Sequence, residues 1–308
     1  MESAGAKRAN ASLLSAVPIG DLRTIICGYY SVTGEVLLRW TALSAAEEKL
    51  VSQNNLESKT VSHTIRVDPR SSPVNLDLGS LRPEQHVGND VVDVCLRLME
   101  EQVRNYAAEY KDCRVGPQPR IGVMCCAFVI SQEIARKISV PETYWLGWCA
   151  ARNSVHNVFC LDLIMCPLHC SPDGYPLYAL GVINCRKHCI DVYQMFGRSA
   201  PERVYNYTLH VFERVASFMR EQAVVYSPHT ENDEAWAVKL HLPDVLMWQA
   251  ISDKNEGGVC LFMYAYRLAL GLDPNFAPED LPGCRLIMAR DLLRLAELDT
   301  LLLPFPSQ

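Results

Sequence analysis

Two copies of one short pattern concentrate the chain's thiols and imidazoles: Cys-Pro-Leu-His-Cys at 166–170 and Cys-Arg-Lys-His-Cys at 185–189. Cysteine and histidine suit a tetrahedral zinc site, so C-x-x-H-C raises that chemistry first. Both copies, however, fall in or beside segments with strand patterning, where successive side chains alternate faces. Cys185 and His188 are then expected on opposite sides, and a knuckle needs a turn between its paired ligands. Core or surface thiols are the simpler reading, and neither a metal nor a cofactor is expected. The second chemistry is nucleophilic, with Cys260 as thiol and His169 or His188 as base. Cys260 sits in an apolar run, where burial disfavours the thiolate. Gly257-Gly258 lacks the Lys-Ser/Thr of a phosphate loop, and His86 and His156 read as polar residues at loop ends.

The elements that must position these residues follow from periodicity. From Asn157 to Gly197 short apolar and β-branched blocks predict three consecutive strands, cut by turn residues at Ser171 to Gly174 and at Asn184 to Lys187. Before them, Val91, Val92, Cys95, Leu98, Met99 and Val103 recur at helical spacing, with Asn89 placed as N-cap and Asp90 and Asp93 in the first turn. RIGVMCCAFVI reads as a buried strand or apolar segment, SQEIARKI as a short helix, and Tyr144, Trp145 and Trp148 as packing residues. After the strands, Ala200 to Ala223 predicts a helix and Ala235 to Leu242 a further strand. The glycine turn before Val259 enters a buried helix, and Leu286 to Leu298 forms a last one. Nearer the N-terminus, Thr24 to Ala42 predicts a β-hairpin and Ala45 to Leu50 a short helix. Ser52 to Thr60 reads as a loop, SHTIRV as a strand and Asp68 to Pro73 as a linker.

Several of these stretches resemble a known family. LYALGVIN at 177–184 is similar to the H-W-x-L-x-V-I-N of the SUMO-deconjugating cysteine proteases, the ubiquitin-like-specific or sentrin-specific proteases. Leu81, Pro83, Asn89, Asp90 and Val92 match the family's L-x-P-x-x-W-L-N-D-x-V-I once one extra residue is allowed after the proline. Cys166 to His169 resembles its V-P-I-H strand end. Ile190, Tyr193 and Gly197 flank the place of Y-D-S-x-G, and Gly258, Val259 and Phe262 follow that of Q-x-N-x-x-D-C-G-V-F. The resemblance runs from about Leu76 to Leu270 in motif order.

That resemblance implies an α+β, papain-like cysteine protease fold of the ubiquitin-like-specific protease type, with an N-terminal β-hairpin extension. It puts Leu177 at the histidine position, Gln194 at the aspartate position and Gly257 at the nucleophile position, preceded by Glu256. The oxyanion glutamine falls at Ile251, or at Gln249 with a two-residue shift. In the family two tryptophans clamp the modifier's Gly-Gly tail. Val87 and Tyr178 stand in their places, so Val87, Asn89, Asp90 and Tyr178 mark a former modifier-tail groove. The expectation is a catalytically inactive SUMO-protease-like protein that binds or scaffolds within a larger assembly. The alternatives are a hydrolase with a displaced active site and a module that binds a ubiquitin-like modifier.

Composition bounds these readings. At 308 residues and 49% hydrophobic the chain can bury one large core or two modest ones. Its expected division is a tail at 1–20, the hairpin extension and linker at 21–73, the protease-like domain at 74–300 and a C-terminal tail at 301–308. A net charge of -6 argues against phosphate-backbone binding, so protein partners are expected and nucleic acid is not. No apolar run reaches the ~18–20 residues that span a bilayer, and no membrane is expected. Thirteen cysteines spread through apolar segments, among them Cys27, Cys95, Cys149, Cys160 and Cys260, read as reduced core residues. They point to an intracellular compartment, nuclear or cytoplasmic. Lys7 and Arg8 among Ala and Ser leave organelle import open.

Overall fold

The computed structural model describes residues 60–63, 74–81, 85–109, 119–126, 128–129, 143–170, 177–195, 200–226, 236–243, 255–271 and 274–297. The expected hairpin at 24–42, the helices at 45–50 and 131–138, both tails, the turn at 171–174, Ile251 and Gln249 lie outside these residues.

In chain order the elements are β1 (Thr60–His63), β2 (Val74–Asp77), α1 (Asn89–Glu109), β3 (Ile121–Val123), α2 (Thr143–Arg152), β4 (Leu163–Cys170), β5 (Leu177–Asn184), β6 (Cys189–Gln194), α3 (Glu202–Tyr226), β7 (Ala237–His241), α4 (Gly257–Ala269) and α5 (Leu281–Glu297). Short 3-10 turns occupy Leu78–Leu81, Val158–Cys160 and Pro278–Asp280. The fold class is α+β, as expected. One five-stranded sheet runs β3-β4-β5-β6-β7, antiparallel through its three central strands and parallel at both edges. Separately, β1 pairs antiparallel with β2, so the strand before the linker is hydrogen-bonded to the one after it.

The three central strands fall where the apolar blocks place them. β5 is buried along almost its whole length, as a middle strand must be when helices cover both faces. Its turn into β6 is set by Asn184, whose Oδ1 accepts from the backbone N–H of Arg186 and Lys187 at 3.1 and 2.9 Å. His188 closes that turn in the left-handed region, at φ 49°. The second C-x-x-H-C copy thus spans the turn between β5 and β6, where the sequence pattern put turn residues at Asn184 to Lys187.

α1 and α4 pack on each other, α1 lies against β3 and α4 against β4 and β5, and α3 covers β5, β6 and β7. α4 is buried nearly all round. A helix so uniformly apolar has no solvent stripe and serves as the core's axis. On the other face the Phe212 ring of α3 rests directly on Gly181 of β5, closer than any side chain at 181 would permit. At the start of α1 the N–H of Val92 bonds the carbonyl of Gly88 at 3.1 Å, so Gly88 is the cap and Asn89, expected there, is the first helical residue.

Two further boundaries differ from the sequence pattern. The apolar run at 120–130 is a strand only over Ile121–Val123 and turns helical by Cys126. α5 begins at Leu281, ahead of the first periodic apolar residue, because Pro282 is compatible with a helix's first turn, where its missing N–H is no loss.

Candidate functional site

The start of β5 collects the residues singled out by the family pattern, and Tyr178 is their centre. Its side chain is buried beneath the loop before α1. The hydroxyl lies 2.5 Å from His86 Nε2, and it donates to the Val87 carbonyl at 3.2 Å or to Asn89 Oδ1 at 3.4 Å. Burial pushes the phenol's pKa up, so the group stays a neutral hydrogen-bond partner. The ring faces Gly257. A Cβ placed on Gly257 would stand 2.7 Å from Tyr178 Cδ2, 3.2 Å from Cγ and 3.3 Å from Cε2. The space that any side chain at 257 needs is already filled.

Leu177 and Gln194 lie on the opposite face of the sheet. Leu177 pairs with Cys170, whose Sγ is 3.9 Å from the Tyr207 hydroxyl of α3, and Gln194 pairs with Ala179, two residues along β5 from Leu177. Tyr178 pairs with His169, which turns to α1. The three positions thus gather at one end of β5, but Leu177 and Gln194 share the α3 face while Gly257 meets Tyr178 on the α4 face. Leu177 is fully buried, and Gln194 is 1% exposed with neither amide atom hydrogen-bonded to a described residue.

The N-terminus of α4 is fixed from below. Buried Glu256 receives Arg285 Nε of α5 at 2.9 Å, and the same guanidinium donates to the carbonyls of Ser80 at 3.2 Å and Gln85 at 2.8 Å. This one arginine ties α5, the start of α4 and the loop before α1 together. Of the four residues expected to mark a modifier-tail groove, Val87 and Tyr178 are buried, whereas Asn89 and Asp90 are exposed, as is His86. The roles of His86 and Tyr178 toward each other left no trace in the sequence, since they meet only when β5 passes under the α1 loop.

The other candidate residues find separate partners. His169 Nε2 meets Asp93 Oδ1 at 3.0 Å, and its backbone N–H and carbonyl bracket Cys126 Sγ at 3.3 and 3.4 Å. Burial alone would lower the His169 pKa, but the Asp93 carboxylate and the Cys126 sulfur outweigh it and hold the imidazole well above its ordinary value. His188 stacks on Trp236 at 5.1 Å. Cys260 is fully buried among Cys284, Glu256 and Arg285, and burial drives its thiol well up, away from the nucleophilic form. In the second C-x-x-H-C copy Cys185 Sγ donates to the Val158 carbonyl at 3.8 Å. Among the described residues no group of three or more Cys, His, Asp or Glu is placed to hold a metal ion.

Solved structures share this arrangement of helices and sheet. The SUMO protease Ulp1 with its catalytic cysteine oxidised to a sulfinic acid superposes with a TM-score of 0.55 at 14% identity, over 82% of this chain and 96% of that one. The fold is that of the Ulp1-like SUMO proteases. The C-terminal Ulp1 protease domain in complex with Smt3, the yeast orthologue of SUMO, gives 0.53 at 13% identity over 83% and 97% of the two chains. The Ulp1-like SUMO protease catalytic domain of Chaetomium thermophilum gives 0.53 at 16% identity over 80% and 88%. No family model and no curated protein matches the sequence. Within the described residues no helix of this Ulp1-like chain is long and apolar enough to cross a membrane.

Proposed function

We propose that this chain is a catalytically inactive member of the Ulp1-like fold, a pseudoprotease that binds or scaffolds protein partners within a larger assembly. The observation that carries this reading is the Tyr178 ring set against Gly257. A cysteine protease needs a thiolate there and an imidazole beside it. Glycine at 257 has no side chain to attack with, and Leu177 and Gln194, on the other face of the sheet, offer it neither a base nor an orienting acid. The same ring, with Val87, occupies the groove in which a modifier's Gly-Gly tail would lie. One structural neighbour is a complex with Smt3, so a ubiquitin-like fold is the natural first partner to try. The closed groove favours contact through the exposed rim of His86, Asn89 and Asp90, or through another surface of the assembly. A reducing intracellular setting, nuclear or cytoplasmic, goes with this reading, since nine of the described cysteines are buried as core residues.

The test is an activity probe carrying a thiol-reactive electrophile at the C-terminus of a ubiquitin-like modifier. The purified chain should remain unlabelled while a Ulp1-type enzyme in the same tube is labelled. Covalent capture of the probe at any cysteine would restore the hydrolase reading. Isothermal titration with full-length and tail-truncated modifiers reads the binding arm, and equal behaviour of the two is expected.

A further inference from the structure

The two edges of the five-stranded sheet are finished differently. At one edge β3 pairs only with β4, yet its outward backbone groups are occupied: Val123 N–H donates to Glu100 Oε1 at 3.0 Å, and the Val123 carbonyl accepts from Arg152 at 2.7 Å. Side chains of α1 and α2 close that edge. β7 forms the other edge, and among the described residues no further strand pairs with it. The N–H of Ala237 donates to the His188 carbonyl at 3.3 Å, so Ala237, Lys239 and His241 turn their backbone groups toward β6. Alternation then directs the N–H and C=O of Val238 and Leu240 outward, where no described residue bonds them. Open groups of this kind are a template for another strand.

The side chains around the edge select which strand. Val238 and Leu240 are half-buried on the face covered by α3, which ends beside the start of β7: Tyr226 and Trp236 both pack on Phe159, at 5.9 and 6.4 Å, and Val224 and Val225 are exposed. Ala237, Lys239 and His241 are exposed on the other face. There His241 Nε2 holds Asp191 at 2.8 Å and Arg186 holds Asp162 at 2.5 Å, so both carboxylates are engaged while no carboxylate pairs with Lys187 or Lys239 among the described residues. Burial and Asp191 raise the Cys189 thiol's pKa and Lys239 and Lys187 both oppose them, which sets the two ammonium groups around one point at the start of the β6–β7 ladder. In a chain of net charge -6 this edge is locally basic.

We propose that β7 is a docking edge for an extended acidic segment of a partner protein, which adds to the sheet as a further strand. Its backbone pairs with Val238 and Leu240, its carboxylates meet Lys187 and Lys239, and its alternate apolar side chains lie toward α3. A second copy of this chain fits poorly, because β7 laid against β7 brings the cationic side chains of one copy onto those of the other. The edge is a different surface from the Tyr178–Gly257 contact and binds whether or not position 257 is catalytic.

The experiment titrates the full-length chain into a fluorescein-labelled short peptide of alternating valine and aspartate and follows anisotropy. Binding should saturate, weaken as salt rises, and fall about tenfold in Lys239→Glu. Amide exchange at Val238 and Leu240 should slow in the complex. Val238→Pro removes only an outward N–H, keeps the ladder to β6, and should abolish binding. The same peptide N-methylated along both edges should fail to bind the unaltered chain, a result that no folding defect of a variant can produce. Absence of saturation would overturn the assignment, as would equal binding of the valine–lysine counterpart or binding that survives both Val238→Pro and N-methylation. Protection of Val238 and Leu240 in a dimer of the free chain would overturn it in favour of self-pairing.

Discussion

At Gly257 the physical question is what a single methyl group costs. In a Gly257→Ala protein the new Cβ meets the Tyr178 ring at 2.7 Å, well inside ordinary contact, and that ring is pinned by His86, Val87 and Asn89. Overpacking of this kind costs about 1–3 kcal/mol. Tyr178→Ala removes the obstruction along with much packing, and in that background the alanine at 257 should cost close to nothing. A double-mutant cycle by urea denaturation measures the coupling, and additive losses would place the ring elsewhere in solution. His169 carries a second prediction. Its folded pKa is raised above the unfolded value of about 6.5, so the Asp93 pair contributes stability that is fully present below that pH and is lost as pH rises through the folded pKa. The gap in Tm between wild type and His169→Gln should be widest in acid and narrow as the buffer is made alkaline. A gap constant with pH would mean that folding leaves the imidazole's pKa unchanged.

Between elements, the buried Glu256–Arg285 pair decides where α4 begins. Arg285→Met leaves a buried carboxylate without its cation and should cost about 3–5 kcal/mol. Adding Glu256→Gln should recover part of that loss, because the stranded charge is gone although the carbonyls of Ser80 and Gln85 stay bereft. Denaturant midpoints of the two variants check the order, and a double variant weaker than the single would refute it. This staple also shows what the sequence carried and what it did not. α1, α3, the three central strands and α4 were legible because their apolar periods are long and Asn184 builds the turn into β6, whereas the glycine turn expected before Val259 is the first turn of α4 itself, Gly257 and Gly258 being helical. The family pattern picked out Leu177, Tyr178, Gln194 and Gly257 one by one. Their arrangement on two faces of β5, and the filling of position 257 by a tyrosine from a different element, depend on strand register and helix packing, which no local pattern encodes. The contact of Cys160 Sγ with His156, 3.3 Å from Nδ1, was missed for another reason. His156 precedes the Asn157 cap of the 3-10 turn that Cys160 ends, and no apolar period in the sequence marks so short a turn.

Across the whole molecule the cysteines report on cooperativity. The buried thiols belong to α1, the segment after β3, α2, β4, the β5–β6 turn, β6, α4 and α5, and all but Cys189 sit in one continuous hydrophobic cluster. A shared core of this kind unfolds as a unit, so no buried cysteine should become reactive ahead of its neighbours. Pulsed alkylation across a urea series, read cysteine by cysteine, should therefore give Cys95, Cys149, Cys166, Cys260 and Cys284 one common midpoint that coincides with loss of far-UV circular dichroism. Cys160 should react in the absence of urea. The informative contrast is between helices and sheet: if Cys260 and Cys284 open at lower urea than Cys166, α4 and α5 separate from β4 before the sheet unfolds. The Tyr178–Gly257 contact then belongs to an interface that can open. A single midpoint keeps that contact closed under native conditions, with only His86, Asn89 and Asp90 of its surroundings facing outward.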